Sequence, residues 1–168
     1  QRFAAGDFGA AVYIESEYLH DFDLGLYDVM QKRGGERWRE FAGDPPMHYP
    51  THSISKVVSV TGAHATHVSA MGFVDRHADG LFRADLNRHG NVFSNETALM
   101  RMSDGSTARI NEFRRVGHPG ADRMSLFGTE GSYEEHDGSR VWLGRDRTER
   151  EDLTAKLSCG PADEAAHG

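Results

Sequence analysis

The chain has 168 residues, 38% hydrophobic and 27% charged, enough for one buried core and too few for two ordinary domains. Its formal charge of −7 argues against a nucleic-acid surface, which needs clustered Lys and Arg, and no apolar run approaches the ~20 residues of a membrane helix. A single cysteine, Cys159, excludes an intrachain disulfide and a Cys-rich zinc site and fits a reducing compartment, so a cytoplasmic location is expected.

The opening residues, QRFAAGDFGAAV, have neither an initiator Met nor the layout of a signal peptide and read as a cut edge. In residues 8–23, Val12, Ile14, Ser16 and Tyr18 alternate with Tyr13, Glu15, Glu17 and Leu19, which predicts a strand. Residues 24–42 carry apolar side chains around Gly34-Gly35, so a loop with a short helix is expected. Pro45 and Pro46 then stop regular structure.

After Pro50 comes a helix start. Thr51 or Ser53 can cap it, Ile54, Val57, Val58 and Thr61 recur at helical spacing, and Gly62 is a C-terminal stop. Residues 64–75 read as a strand. Residues 75–93 hold no sustained period and read as a long loop, a class that is often functional. Residues 95–113 give two strand-like runs around Asp104-Gly105, a strong hairpin signal. Residues 123–144 supply two or three more short strands between glycine turns. The order of elements predicts an α+β domain, an open and predominantly antiparallel sheet with helices on one face. It is expected over residues 1–144, with residues 145–168 as a polar tail whose end, SCGPADEAAHG, frays.

Three groups of residues could carry chemistry. His52 stands at the mouth of the predicted helix, where a neutral imidazole is favoured as a base, and Tyr49 adds a phenol. A structural role, with His52 satisfied by backbone groups and Tyr49 in the core, is equally compatible with the sequence. His48 and His52 have the spacing of a zinc pair, but Pro50 between them disfavours one helical face, and His64 and His67 point to opposite sides of a strand. No metal ligands are therefore assigned; a metal hydrolase would require His48, His52 and a carboxylate to converge. The third group is Glu17, Tyr18, His20 and Asp21 at the end of the first strand, with Asn111, Glu112, Arg114 and Arg115 on the hairpin. No Gly-x-Gly-x-x-Gly or P-loop occurs, so the chain assigns no cofactor-binding residue of its own.

The segments EYLHD, YPTHSISKVVSVTGA, GFVD, SNETALMRMSDGSTARINEFRRVGHPG and SLFGTEGSYE, in that order, resemble the C-terminal domain of the glucose-fructose oxidoreductase / inositol dehydrogenase (Gfo/Idh/MocA) superfamily over roughly residues 8–143. The resemblance implies a substrate-binding and assembly domain whose Rossmann partner domain, absent here, holds NAD or NADP, with a sugar or polyol as substrate and a homo-oligomer formed through the sheet. It implies His52 as the base with Tyr49 assisting, and Glu17, His20, His48, Asn111 and Arg114 around the substrate. Where many members carry Asp, this chain has His48 and Ser55. The Tyr-Pro-Thr-His form is similar to the branch of NAD-dependent α-N-acetylgalactosaminidase-type glycosidases, which leaves dehydrogenation and redox-assisted glycoside cleavage both open. A rival reading is a non-catalytic module for oligomerisation or ligand binding, expected to show an apolar sheet face uncovered by helices, whereas a polar cleft beside His52 would mark a ligand site.

Overall fold

In the computed structural model, which describes residues 1–157 except residue 147, the elements in chain order are α1 (Arg2–Ala5), β1 (Ala11–Leu19), α2 (Leu26–Gly34), α3 (Trp38–Ala42), α4 (Ile54–Thr61), β2 (Ala65–Val74), β3 (Phe93–Met102), β4 (Thr107–Phe113), β5 (Ala121–Gly128), β6 (Gly131–His136), β7 (Ser139–Gly144), β8 (Arg150–Asp152) and α5 (Thr154–Leu157). One-turn 3₁₀ segments occupy Phe22–Leu24, Pro46–His48 and Pro50–His52. The eight strands form one sheet in the order β2-β3-β4-β1-β5-β6-β7-β8. Six neighbouring pairs are antiparallel and only β1 with β4 is parallel, so the predicted open, mainly antiparallel α+β architecture holds. β8 carries the sheet past residue 144, and the SCGPADEAAHG end lies outside the described residues.

The pleat sorts side chains onto two faces. Ile14, Ser16 and Tyr18 of β1 lie in register with Ala108, Ile110 and Glu112 of β4 on the inner face. There Ile14, Ala108 and Ile110 are fully buried with Val57 of α4, and Ile54 and Phe3 of α1 pack against the same core. Burying a side chain such as Val57 contributes about 1.5–3 kcal/mol. The predicted stop at Gly62 is realised with φ 71°, a left-handed conformation that glycine adopts without penalty.

A second, smaller core joins Phe22, Leu26, Ala42, Leu81 and Phe82. It explains a difference from expectation. Residues 26–42 form two helices rather than a loop with one short helix, because Leu26 and Ala42 bury against the long loop through Leu81 and Phe82. The break between them falls at Gly35, with φ 54°, where the glycine pair predicted it. That long loop, residues 75–92, is pinned from inside. Asn87 Nδ2 donates to the carbonyls of Arg83 (2.9 Å) and Asn91 (2.8 Å), and Asn91 Nδ2 donates to those of Gly43 (3.1 Å) and Phe93 (2.8 Å). No helix among the described residues is long and apolar enough to cross a membrane.

Candidate active site

The C-terminal end of β1, the two 3₁₀ turns before α4 and the start of β5 surround a cleft of about 500 Å³. Tyr18, His20, His48, Tyr49, His52 and Arg114 all line it. Six of the residues singled out by sequence, Tyr18, His20, His48, Tyr49, His52 and Arg114, are thus brought together. Tyr49 joins the two 3₁₀ turns, following His48 at the end of the first and preceding Pro50, which opens the second, and this tight path puts the Tyr49 ring 5.5 Å from that of His52.

His52 is held on two sides. Its side chain is only 17% exposed, and Nδ1 lies 3.1 Å from Asp122 Oδ2. The Tyr18 ring stacks on the imidazole at 4.4 Å and 14°. Lys56, in the first turn of α4, forms an ion pair with the other oxygen of Asp122. With Nδ1–H donating to the carboxylate, Nε2 becomes the nitrogen that accepts a proton. Asp122 was missed by sequence reasoning: it is 70 residues from His52, and only the pairing of β5 with β1, Asp122 opposite Tyr18, brings it there.

Beneath Tyr18 lies a buried charged pair. Glu112 is fully buried and accepts from Arg114 Nη2 at 2.9 Å and from the Ser53 hydroxyl. The Arg114 guanidinium also donates to the Pro46 carbonyl (3.3 Å) and sits 5.1 Å from the Tyr18 ring. Ser53 therefore serves Glu112; it occupies the N-cap position of α4 but makes no side-chain cap to that helix. Burial pushes the Glu112 carboxyl up, against the pull of Arg114 and of the Ser53 hydrogen bond. Burial likewise raises the Tyr18 phenol. It lowers His20, with Arg114 and Arg33 adding to the effect, which favours the neutral imidazole, and His20 shares a 2.8 Å hydrogen bond through Nδ1 with the Tyr18 hydroxyl.

Glu17 and Asn111 do not join this cleft, which corrects the expectation that they flank the substrate beside His52. One residue from Tyr18 and one from Glu112, they fall on the opposite face of the pleat. There Asn111 Nδ2 donates to Glu17 Oε2 (3.2 Å), Thr97 donates to Asn111 Oδ1 (2.9 Å) and Arg123 pairs with Glu17. Asp21 is a structural clamp, accepting from the backbone N–H of Asp23 (2.8 Å), Gly117 (3.0 Å) and Val116. His48 lines the cleft but groups with Asp44 and His89 rather than with His52.

A family profile described as GFO/IDH/MocA C-terminal domain matches residues 1–134. An inositol dehydrogenase homolog from Azotobacter vinelandii, solved with NADH and myo-inositol, is similar over 90% of this chain and 37% of its own, with TM-score 0.63 and 13% identity. An oxidoreductase domain protein from Kribbella flavida is similar over 92% of this chain and 43% of its own, with TM-score 0.61 and 15% identity. For UDP-N-acetylglucosamine 3-dehydrogenase from Acidithiobacillus ferrooxidans the shares are 100% and 49%, with TM-score 0.56 and 21% identity. At such identities the likeness is one of fold, and the chain spans less than half the length of each of these structures. No curated protein matches it.

Proposed function

Because this chain belongs to the GFO/IDH/MocA C-terminal domain family, we propose that it is the substrate-binding and proton-transferring half of an NAD(P)-dependent oxidoreductase acting on a sugar or polyol. The observation that carries this reading is the Asp122–His52 pair, set under Tyr18 and Tyr49 at the wall of an open cleft. Two aromatic rings and several polar groups suit a polyhydroxylated ring, which offers apolar C–H faces and hydroxyls together.

The residues present do not fit a resident dinucleotide, since no Gly-rich strand-to-helix turn is available for its pyrophosphate. In this proposal a separate nucleotide-binding domain faces the cleft. A nicotinamide supplies the hydride acceptor that no side chain can provide. The chain's own part is to bind and deprotonate. His52 Nε2 takes the proton of the hydroxyl whose carbon is oxidised, Asp122 stabilises the imidazolium that forms, and Tyr49 donates to a neighbouring hydroxyl. Arg114 and His20 hold Tyr18 against the base, and so act on His52 through that ring. Whether the oxidised sugar is released or first loses its aglycone is decided by product analysis on a glycoside.

The chain alone tests the binding part. Titration with myo-inositol and a panel of hexoses, followed by NMR of the aromatic and imidazole side chains, should give saturable shifts at Tyr18, Tyr49 and His52, while NADH should give no saturation. Saturable NADH binding, or sugar shifts confined to residues outside the cleft, would overturn the proposal. A second reading, assembly through the sheet, is favoured by a separate observation. On the outer face Met71, Phe73 and Leu99 are 81%, 63% and 52% exposed.

A further inference from the structure

Beside the cleft, Asp44, His48 and His89 each present one ligand atom, and the three atoms lie within 4.8 Å of one another. We infer that these residues form a binding site for a divalent cation of the zinc class at the rim of the cleft. His89 Nε2 is 3.6 Å from Asp44 Oδ1, and the two imidazoles lie 5.1 Å apart between ring centroids. With metal–nitrogen and metal–oxygen distances of about 2.0–2.2 Å, tetrahedral donors stand roughly 3.3 Å apart. The Asp44–His89 separation already approaches that spacing, and the exposed His48 ring closes the remainder by rotation.

The placement is built by the fold. Gly43 caps the C-terminus of α3 and Asp44 follows it, His48 closes the next 3₁₀ turn, and His89 belongs to the long loop. The loop reaches Asp44 because buried Asn91 bonds the Gly43 carbonyl and Asn87 accepts from the backbone N–H of His89 (3.2 Å) and Asn91 (2.9 Å). At Gly43 the approach is so close that a Cβ would stand 2.1 Å from the Leu81 carbonyl oxygen. Rigid backbone support of this kind is what a ligand set requires, since each donor must arrive within a fraction of an ångström.

Two imidazoles and one carboxylate with open positions are the donor set of first-row ions such as zinc rather than of calcium or magnesium, which prefer oxygen. Three protein ligands also leave a place for water or a substrate oxygen, unlike a closed structural site. Arg88 donates from Nε to Asp44 Oδ1 at 3.0 Å and pairs its Nη2 with Oδ2. The arginine neutralises the carboxylate and competes with the cation for it. Removing Arg88 should therefore tighten the site.

The experiment is calorimetric titration of the metal-free chain with Zn²⁺, with Co²⁺ visible absorption to report imidazole ligation. One equivalent should bind. His89→Ala and Asp44→Asn should each weaken binding at least 10-fold, Arg88→Ala should strengthen it several-fold, and the double variant His64→Ala/His67→Ala, at the start of β2 and outside the ligand set, should leave it unchanged. His89 and Arg88 are exposed, so these variants keep the fold, checked by circular dichroism. Absence of one-equivalent binding, or binding that survives His89→Ala or disappears in the His64/His67 variant, overturns the site. The readout is independent of any sugar or nucleotide and so stands apart from the reading of the His52 cleft.

Discussion

At His52, direction matters as much as proximity, because only one ring nitrogen can serve as base once the other is committed to Asp122. In a protein that joins this chain to a nucleotide-binding domain, His52→Ala should lower kcat by about 10²–10⁴-fold. Asp122→Ala should cost about 10²-fold by misplacing the ring, with KM little changed; a KM effect alone would mark Asp122 as a substrate contact instead. Glu112 lies one layer deeper, and its worth is structural. Glu112→Ala would strand the buried Arg114 guanidinium and destabilise the fold by about 3–5 kcal/mol in urea denaturation. Asp21 gives the pH dependence. Burial raises its carboxyl, but the N–H groups of Val116, Gly117 and Asp23 outweigh that and hold it below the usual 3.8. Its contribution is thus full above pH 3.8 and is lost as pH falls through the lower, folded-state value. Asp21→Ala should cost about 2–3 kcal/mol at pH 7, and the gap from the parent chain should narrow in acid. A gap that stays constant from pH 7 to below 3.8 would refute this.

Among the elements, those legible in the sequence are the ones specified by neighbours along the chain. β1 was readable from alternation, the β3–β4 hairpin from Asp104-Gly105, and α4 from its periodicity and Gly62, because each signal is complete within a dozen residues. α2 and α3 were under-read since their stability comes from Leu81 and Phe82, some forty residues later, and not from propensity. The role of Ser53 was hidden for the same reason: a serine at a helix start reads as a cap, and only the β4 partner Glu112 reveals where the hydroxyl goes. His52 and Tyr49 could be singled out by residue type and position, whereas Asp122, Asp44 and His89 became site candidates only through contacts between distant segments. The junction of α3 with the long loop is the element most sensitive to volume. Gly43→Ala would drive a methyl into the Leu81 carbonyl and against Asn87, so it should destabilise by about 1–3 kcal/mol and speed amide exchange across residues 81–91. An alanine variant with unchanged exchange there would mean that the loop holds without this contact.

Across the whole molecule, one parallel pairing decides which residues share a face. Because β1 runs parallel to β4 and antiparallel to β5, Tyr18, Glu112 and Asp122 meet at one end of the sheet while Glu17, Asn111 and Arg123 cross to the outside. No local pattern signals a parallel neighbour ninety residues away, which is why the sequence placed Glu17 and Asn111 beside His52. Their polar ladder instead occupies the middle of the outer face, flanked toward the sheet edge by Met71, Phe73 and Leu99. β2 is an edge strand, exposed along nearly all of its length, and such an edge with large apolar side chains invites pairing. A two-fold axis would bring the same patch of a second copy against it, as a closed dimer requires. The chain should therefore sediment as a dimer at micromolar concentration. Met71→Lys with Phe73→Asp should yield monomer by analytical ultracentrifugation with unchanged circular dichroism, since both side chains are exposed in the single chain. A parent chain that stays monomeric at these concentrations, or a variant that still dimerises, would show that the outer face serves another purpose.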